Sequence, residues 1–324
     1  MKYISFQNLF RILKSNLYKI HSGNYDLIVG IPRSGMIPAY FIGLYLNKNI
    51  TDLDSLINNH DLDKGHTRII NKDFNKPHDA KKILLVDDSI SSGNSLNENL
   101  KKIPIHLQSK IDTLAVFATT SSKDMVSMYL EIADGGRIFE WNIFHRRLLE
   151  KSCVDIDGVL CIDPTPDQND DGEKYNNFLI NAKPHIVPSY KIHSLVTNRL
   201  EKYRSETVAW LEKHNIKYDN LVMLDLPSKE ERQRTHAHVP HKASYYKKNT
   251  DLKMFIESSK KQAVEIMKKT GKPVYVVDTN EMINPDWIDL STNNKSELKV
   301  KLKSLIAKLL PNFIKNIIKK FFKL

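Results

Sequence analysis

Short apolar runs that end in polar or glycine-containing loops recur along this chain, and helical patterns separate them. The runs that predict strands cover residues 26–31, 82–86, 111–119, 152–160, 191–197, 220–224, 253–257 and 273–278. The patterns that predict helices cover residues 37–46, 95–101, 119–133, 201–215 and 259–270. Strands that alternate with helices form parallel sheets with helices on both faces. We therefore predict the α/β fold class.

The alternation starts again near residue 152, and no long linker precedes it. A chain of 324 residues is also long enough for two domains. We predict two doubly wound parallel-sheet domains at residues 1–148 and 149–290, followed by a C-terminal amphipathic helix at residues 291–324. Residues 49–80 are polar and weakly periodic, which predicts a loop or a small hood.

The positive charge is concentrated at the C-terminal end. The net charge is +11, and residues 295–324 contain nine lysines and one glutamate, so they carry eight of these charges. The nearly balanced remainder argues against a nucleic-acid partner, because such a partner needs a basic folded face. Apolar residues recur every three or four positions in the same segment, which is typical of a helix on an anionic membrane surface. A helix packed on the protein's own core or on a partner is the alternative.

The N-terminal residues and the cysteines bear on the compartment. Residues 1–20 mix charged and apolar side chains and lack the apolar core of a signal peptide. Two cysteines in the whole chain fit a reducing compartment. With the basic segment, these features predict a cytoplasmic protein that is peripheral on the inner face of the cytoplasmic membrane.

Two carboxylates and a serine-rich loop follow the strand predicted at 82–86. Asp87 and Asp88 come directly after this strand, and small residues separate them from the next helix. Small residues let backbone N–H groups approach a phosphate, and a helix N-terminus favours an anion. Paired carboxylates accept hydrogen bonds from ribose hydroxyls. A helix N-cap after a strand, the plainer alternative, explains one acid and one serine but not the whole run.

Residues 83–95, with the sequence ILLVDDSISSGNS, resemble the 5-phosphoribosyl-1-pyrophosphate (PRPP) loop of type I phosphoribosyltransferases. The resemblance implies that Asp87 and Asp88 hold the ribose of PRPP. It implies a 5-phosphate cradle formed by Ser91, Ser92, Gly93, Asn94 and Ser95. It implies a pyrophosphate loop formed by Arg33, Ser34 and Gly35.

The resemblance also implies the reaction and the place of the acceptor. Pyrophosphate leaves PRPP through an oxocarbenium-like state while Mg²⁺ bridges the donor. Residues 139–142 occupy the place where purine-type members carry a hood, so Glu140 and Trp141 are candidate acceptor contacts. The base that activates the acceptor is not identified.

A second pair of carboxylates ends the strand predicted at 152–160. Asp155 and Asp157 lie two residues apart, so their side chains point to the same side of a strand. Such a pair suits Mg²⁺, with a nucleophile and an acid–base group side by side. His236, His238 and His241 lie farther along the chain, where they predict either a polar loop near this site or, less favoured, a zinc site.

Residues 155–158 resemble motif I of the haloacid dehalogenase (HAD) phosphatases, and further motifs occur in that family's order. One predicted strand ends in Thr197, as in motif II, and another ends in Glu257, as in motif IV. Lys242 or Lys247 lies upstream of the latter strand, as motif III requires. The resemblance implies a HAD-like Rossmannoid fold for the second domain.

The same resemblance implies a role for each residue. Asp155 forms an aspartyl-phosphate, and Asp157 protonates the leaving group. Thr197 and one of the two lysines bind the phosphoryl oxygens, while Asp155, Asp157 and Glu257 hold Mg²⁺. Glu257 departs from the aspartate that is usual in motif IV. The short separation between Asp157 and Thr197 leaves no room for a large cap domain, so the site should be open to bulky substrates.

Together the two domains predict a bifunctional enzyme. It resembles the fused phosphoribosyltransferase–phosphatase proteins of bacterial polysaccharide synthesis, which transfer phosphoribose and then remove its 5-phosphate to leave ribofuranose. With the basic segment, this resemblance implies a lipid-linked glycan acceptor of an O-antigen or capsule. The alternatives are a nucleobase phosphoribosyltransferase coupled to nucleotide dephosphorylation, for which Trp141 would stack on the base, and a PRPP-sensing regulator.

Overall fold

The computed structural model describes residues 2–65, 69 and 74–286, which form two compact units. The division falls between Ile143 and Phe144, a few residues before the boundary that the sequence predicts. The predicted amphipathic helix at 291–324 lies outside the described residues. No helix among the described residues is long and apolar enough to cross a bilayer.

The first unit is a parallel α/β unit. Its strands are β1 (Lys2–Ile4), β2 (Leu27–Gly30), β3 (Asn49–Asp52), β4 (Ile83–Ser89), β5 (Ile111–Ala118), β6 (Met128–Ile132) and β7 (Arg137–Phe139). Its helices are α1 (Phe6–Ser22), α2 (Met36–Leu46), α3 (Leu53–Asn58), α4 (Asn94–Lys102) and α5 (Ile105–Gln108). The main sheet has the order β3-β2-β4-β5-β6 with every pair parallel, and β1 pairs with β7 in a separate parallel ribbon.

This strand order determines where a ligand can bind. The chain runs outward from β2 to β3 and then returns to place β4 on the other side of β2. A crevice forms at such a reversal, outside the carboxyl ends of the two central strands. The loops after β2 and β4, which are the predicted pyrophosphate and PRPP loops, therefore meet at this crevice.

Local sequence explains how the first helix forms. Ser5 Oγ accepts a hydrogen bond from the backbone N of Asn8 at 3.1 Å, and Asn8 Oδ1 accepts one from the backbone N of Ser5 at 3.2 Å. This reciprocal pair is a capping box, which satisfies N–H groups that a helix start leaves unbonded. Leu9, Ile12 and Leu13 are buried at helical spacing, so α1 packs one apolar face on the sheet.

Two segments of the first unit differ from the sequence prediction. The predicted loop at 49–80 begins with edge strand β3 and helix α3, and the Asp52 side chain caps α3 by accepting from the backbone N of Ser55 at 2.9 Å. The helix predicted at 119–133 is wrong, because this segment contains a short 3₁₀ turn followed by strand β6. Among the described strands β6 pairs with β5 alone, and it is partly exposed, so it lacks the apolar run of a central strand.

The second unit contains a mostly parallel sheet. Its strands are β8 (Ser152–Val154), β9 (Ile192–Leu200), β10 (Tyr218–Leu224), β11 (Met254–Glu257), β12 (Val274–Val276) and β13 (Glu281–Ile283). Its helices are α6 (Glu173–Asn181), α7 (Arg204–Lys213), α8 (Lys229–Arg234), α9 (His238–Lys248) and α10 (Lys260–Thr270). The order is β10-β9-β8-β11-β12-β13, and only the β12–β13 pair is antiparallel among the described strands.

The central position of β8 brings three strand ends together. β8 lies between β9 and β11, so the residues that follow these strands share one edge of the sheet. The strand predicted at 152–160 is shorter than expected, because the chain turns away from the sheet after Val154. Gly158 has φ +72° in this turn, and a Cβ there would lie 2.6 Å from Ser258 Cβ. The described connection from β8 to β9 holds one helix, α6, and no separate cap domain.

Candidate functional site

The loop between β4 and α4 presents polar groups at a helix N-terminus. Gly93 is the N-cap of α4 with φ +76° and has no side chain to cap the helix, while Ser92 Oγ accepts from the backbone N of Asn94 at 3.4 Å. Ser91 and Ser92 are exposed before it, and Asn94 and Ser95 are exposed in the first turn. The backbone N of Ile90 donates to Phe117 O at 2.8 Å, which fixes the start of the loop on β5. This arrangement suits an anion such as the predicted 5-phosphate.

The two carboxylates at the end of β4 are close and poorly hydrated. Asp87 Oδ1 accepts from the backbone N of Asp88 at 2.9 Å, and Asp88 is buried. Burial and the neighbouring Asp88 raise the pKa of Asp87 to about 7. Two adjacent carboxylates that repel each other are stabilised by hydroxyl donors or by a cation. The donor set therefore fits the ribose of PRPP and a hard cation such as Mg²⁺.

The predicted pyrophosphate loop follows β2 and lies against the end of β4. The backbone N of Ile31 donates to Val86 O at 2.9 Å, and the Pro32–Arg33 peptide bond is cis. A Cβ on Gly35 would lie 2.6 Å from Ile31 O and 2.7 Å from Val86 O, so this approach requires glycine. Arg33 is exposed, and its Nη2 donates to Asn142 Oδ1 at 3.2 Å.

The hood residues are tied to both α1 and the PRPP loop. Glu140 Oε2 accepts from the backbone N of Phe6 at 2.8 Å, so this carboxylate caps the start of α1. Trp141 packs against Phe139 and Phe6, with ring centroids 4.9 and 5.1 Å away. Its Nε1 donates to Asp88 Oδ2 at 2.8 Å. Sequence reasoning treated Trp141 as an acceptor contact and did not anticipate this link to the ribose-side carboxylate.

Four predicted residues of the second unit lie together at the edge of its sheet. Lys242 Nζ lies 2.6 Å from Asp155 Oδ2 and 2.7 Å from Glu257 Oε2, and all three side chains are buried. Thr197 is also fully buried, and it borders the same cavity as Asp155 and Lys242. Lys247 lies five positions farther along α9, where it is exposed and does not line this cavity, so the structure assembles Lys242 into the cluster.

The buried cluster is short of positive charge. Burial raises the pKa of Asp155 to about 7, Glu257 and Asp157 act in the same direction, and Lys242 opposes them. Burial lowers the pKa of Lys242, but the two carboxylates beside it hold the pKa above its ordinary value. Lys242 therefore stays protonated and shares its charge between two acids.

Asp157 is held by an arginine that sequence reasoning did not single out. Arg199 is completely buried, and its Nη2 lies 2.7 Å from Asp157 Oδ1, while its Nε lies 3.2 Å from both carboxylate oxygens. Cys161 Sγ also contacts Asp157 Oδ1 at 3.4 Å. The sequence signal was the charged residue two positions after Thr197, near the end of β9.

The predicted metal ligands of the second unit do not form a recognisable metal centre among the described residues. No group of three or more His, Cys, Asp or Glu side chains is placed to hold a metal ion within the described ranges. Lys242 forms ion pairs with Asp155 and Glu257, and Arg199 forms an ion pair with Asp157. The three-carboxylate Mg²⁺ site stays a prediction, and the described histidines do not form the alternative zinc site.

A cavity of about 140 Å³ opens beside the buried cluster. Its walls include Asp155, Asp157, Thr197 and Lys242, so it brings the predicted residues to one solvent-accessible space. Further polar walls include Asp163, Asn198, Arg232, His238, Ser258 and Gln262. His238 belongs to the histidine group that the sequence predicted near this site, whereas the other five were not predicted as site residues. Arg232, His238 and Gln262 lie on helices. Unlike acids that directly follow a predicted strand, such residues carry no sequence pattern that places them at the site.

Comparisons with known proteins bear on the first unit. The family model of the phosphoribosyl transferase domain matches residues 3–147, less than half of the chain. A xanthine-guanine phosphoribosyltransferase of Chromohalobacter salexigens is 25% identical over 167 residues, which cover 51% of this chain and 90% of that relative.

Solved structures with similar chains include two phosphoribosyltransferases. The purine phosphoribosyltransferase from Pyrococcus horikoshii Ot3 gives a TM-score of 0.31 at 16% identity and covers 43% of this chain and 92% of that structure. The xanthine-guanine-hypoxanthine phosphoribosyltransferase of Helicobacter pylori gives 0.32 at 22% identity and covers 44% and 92%. The family match and the sequence motifs agree on the same residues, and they identify residues 3–147 as a type I phosphoribosyltransferase domain.

Proposed function

We propose that the first unit transfers the 5-phosphoribosyl group of PRPP to a purine-type nucleobase, and that the second unit hydrolyses the phosphomonoester formed. The observation that carries the first part is the PRPP loop, with two adjacent carboxylates followed by an exposed helix N-terminus whose N-cap is glycine. The similarity to a xanthine-guanine phosphoribosyltransferase, which spans 90% of that relative, supports the purine-type acceptor.

Each part of the first site would have its own task in the transfer. The exposed N-terminus of α4 would bind the 5-phosphate, and Asp87 and Asp88 would accept hydrogen bonds from the ribose hydroxyls. Arg33 would stabilise the negative charge on the departing pyrophosphate. Asp87 and Asp88 would also hold Mg²⁺, which when bound neutralises charge on the pyrophosphate group.

The second unit has the groups for phosphoryl transfer to a carboxylate. Asp155 would attack phosphorus, and the oxygen of the leaving alcohol would take a proton from Asp157. Lys242 and Thr197 would bind the phosphoryl oxygens, and water would then hydrolyse the aspartyl-phosphate. This assignment is supported by the 2.6 Å contact between Lys242 and Asp155 and by their burial at the edge of a parallel sheet.

Two acceptors give different products. With a nucleobase, the two steps yield a nucleoside, whereas with a lipid-linked glycan they yield a ribofuranosyl glycan. The glycan acceptor was predicted chiefly from residues 295–324, and so was the membrane-surface location. These residues lie outside the described residues. The relative named above favours the nucleobase, and the glycan is therefore the alternative outcome of the acceptor experiment.

The acceptor experiment supplies the full chain with PRPP, Mg²⁺ and either single purine bases or a lipid-linked glycan. We expect pyrophosphate release with one or more purine bases, and mass spectrometry should find the corresponding nucleoside. Pyrophosphate release with the glycan alone would overturn the nucleobase proposal. No release with either acceptor would favour a PRPP-sensing regulator.

The order of the two steps is tested with Asp155→Asn. This variant should release pyrophosphate at the normal rate and accumulate a product that keeps its 5-phosphate. Asp167→Asn changes an exposed carboxylate of the same unit, with 78% of its side chain accessible, and should give the same dephosphorylated product as the natural chain. A dephosphorylated product from Asp155→Asn would contradict the assignment of the second unit.

A further inference from the structure

Arg232 is a buried cation at the wall of the second cavity. Only 8% of the residue is exposed. Its Nη1 donates to Asn198 O at 2.7 Å, directly after the predicted phosphoryl-binding Thr197. Its Nε is buried and has no hydrogen-bond partner among the described residues. A buried guanidinium with an unsatisfied edge is unfavourable unless a ligand completes it.

The other cations near this cavity are already paired. Arg199 is paired with Asp157, and Lys242 bridges Asp155 and Glu257. Among the ion pairs within the described ranges, none involves Arg232. Because carboxylates already compensate the other two buried cations, Arg232 is the cation of this wall that an anion would neutralise.

The fold fixes Arg232 in this position. It lies on α8, where Ser228 caps the helix by accepting from the backbone N of Glu231 at 3.3 Å. The backbone N of Lys229 donates to Asp171 Oδ2 at 3.0 Å, which joins α8 to the loop before α6. His238 follows on α9, where burial and, less strongly, the charges of Arg232 and Lys242 lower its pKa.

The cavity has a volume and a polar lining that suit a small anion. Its volume of about 140 Å³ lies well below the roughly 300–1,000 Å³ of pockets that enclose a whole drug-sized ligand. A guanidinium edge formed by Nε and Nη2 matches two oxygens of a tetrahedral phosphoryl group. Thr197, Asn198 and Lys242 line the same cavity, so they would face that group from the strand ends and α9.

We propose that Arg232 binds two phosphoryl oxygens of the phosphomonoester substrate, as a second cation beside Lys242. This proposal rests on the phosphatase function proposed for the second unit. Lys242 is restrained by two carboxylates, so it contributes one shared charge to the substrate. Arg232 supplies a positive charge that no carboxylate among the described residues compensates. It therefore determines the affinity for the phosphoryl group rather than for the leaving alcohol.

The test uses the full chain and three variants. Arg232→Met removes the charge and keeps similar bulk, Arg232→Lys keeps a single charge, and Arg234→Met is the control. Arg234 lies on the same helix with 74% of its side chain exposed. Each protein is assayed for hydrolysis of para-nitrophenyl phosphate, for competitive inhibition by inorganic phosphate, and for phosphate binding by calorimetry.

We expect Arg232→Met to raise KM and to weaken phosphate binding about tenfold to a hundredfold, with a partial recovery in Arg232→Lys. Arg234→Met should match the natural chain. Thermal unfolding is measured in parallel, because a purely structural role would lower Tm and leave phosphate affinity unchanged. Unchanged phosphate affinity in folded Arg232→Met would overturn this proposal.

The two proposals fail in different ways. If the natural chain hydrolyses no phosphomonoester, the phosphatase function is refuted. Calorimetry with inorganic phosphate would still test Arg232 in that case. If hydrolysis requires Asp155 but is indifferent to Arg232, the phosphatase function stands and the role of Arg232 is refuted.

Discussion

Replacing Asp87 by asparagine should stabilise the first unit at neutral and alkaline pH. Asp87 lies at the end of the central strand β4, where burial and Asp88 disfavour its ionised form. Asparagine has nearly the same shape and cannot ionise. Its Oδ1 can still accept from the backbone N of Asp88, so this hydrogen bond of Asp87 is retained.

The size of the expected stabilisation follows from the shift in the Asp87 pKa, and its direction follows from which state binds the proton more tightly. A rise of the Asp87 pKa from 3.8 to about 7 corresponds to about 4 kcal/mol, at 1.36 kcal/mol per pH unit. Between these values the folded state binds the proton more tightly than the unfolded state. The free energy of unfolding therefore falls as pH rises through this window and stays low above pH 7. Asp88 shares part of the effect, so we expect a gain of about 2 to 4 kcal/mol at pH 8.

Hydrogen–deuterium exchange resolved by mass spectrometry measures this gain in the free energy of unfolding separately for the first unit. Amides of β4 and β5 lie in the core of the first unit and report its opening free energy. The advantage of Asp87→Asn over the natural chain should grow by about 2 kcal/mol between pH 5 and pH 8. Asp124→Asn alters an exposed carboxylate of the same unit and should show no such growth. A gain at pH 8 no larger than that at pH 5 would refute the reasoning.

Two further substitutions test contacts that join distant parts of the chain. Trp141→Phe keeps the aromatic packing but removes the donor to Asp88, so the KM for PRPP should rise about fivefold to tenfold in steady-state assays; an unchanged KM would contradict this role. Arg199→Met leaves Asp157 without its buried partner and should destabilise the second unit by about 3–5 kcal/mol. Arg204→Met removes a partly exposed ion pair and should cost about 1 kcal/mol or less. Amide exchange in β9 compares the two, and equal effects would rule out a special contribution from the buried pair.

Central strands were predictable because their signal is local. β2 is buried at every position, and such continuous apolar runs occur where helices cover both faces of a sheet. The edge strands β3 and β6 were missed for the same physical reason. Within the part of the chain that the structure describes, each pairs on one side only, so its residues remain partly exposed. Its strand conformation therefore depends on a neighbour distant in sequence.

The candidate sites divide in the same way. The PRPP loop is a contiguous segment, so its carboxylates, small residues and helix start could be identified together from sequence. The contact between Trp141 and Asp88 joins residues 53 positions apart, and that between Arg199 and Asp157 joins residues 42 positions apart. Such contacts depend on strand order and on helix placement, which no short segment encodes.

The sequence by itself determined the α/β class, the phosphoribosyltransferase domain and the acids that follow its strands. Each of these depends on residues adjacent along the chain, in periodic patterns or contiguous motifs. The tertiary structure decided which distant side chains complete the sites. It selected Lys242 over Lys247, because only the former lies on the buried side of α9 between Asp155 and Glu257. It also paired Arg199 with Asp157 and placed Arg232 on the wall of the same cavity, because β9 and α8 bring these two charges to the same edge of the sheet.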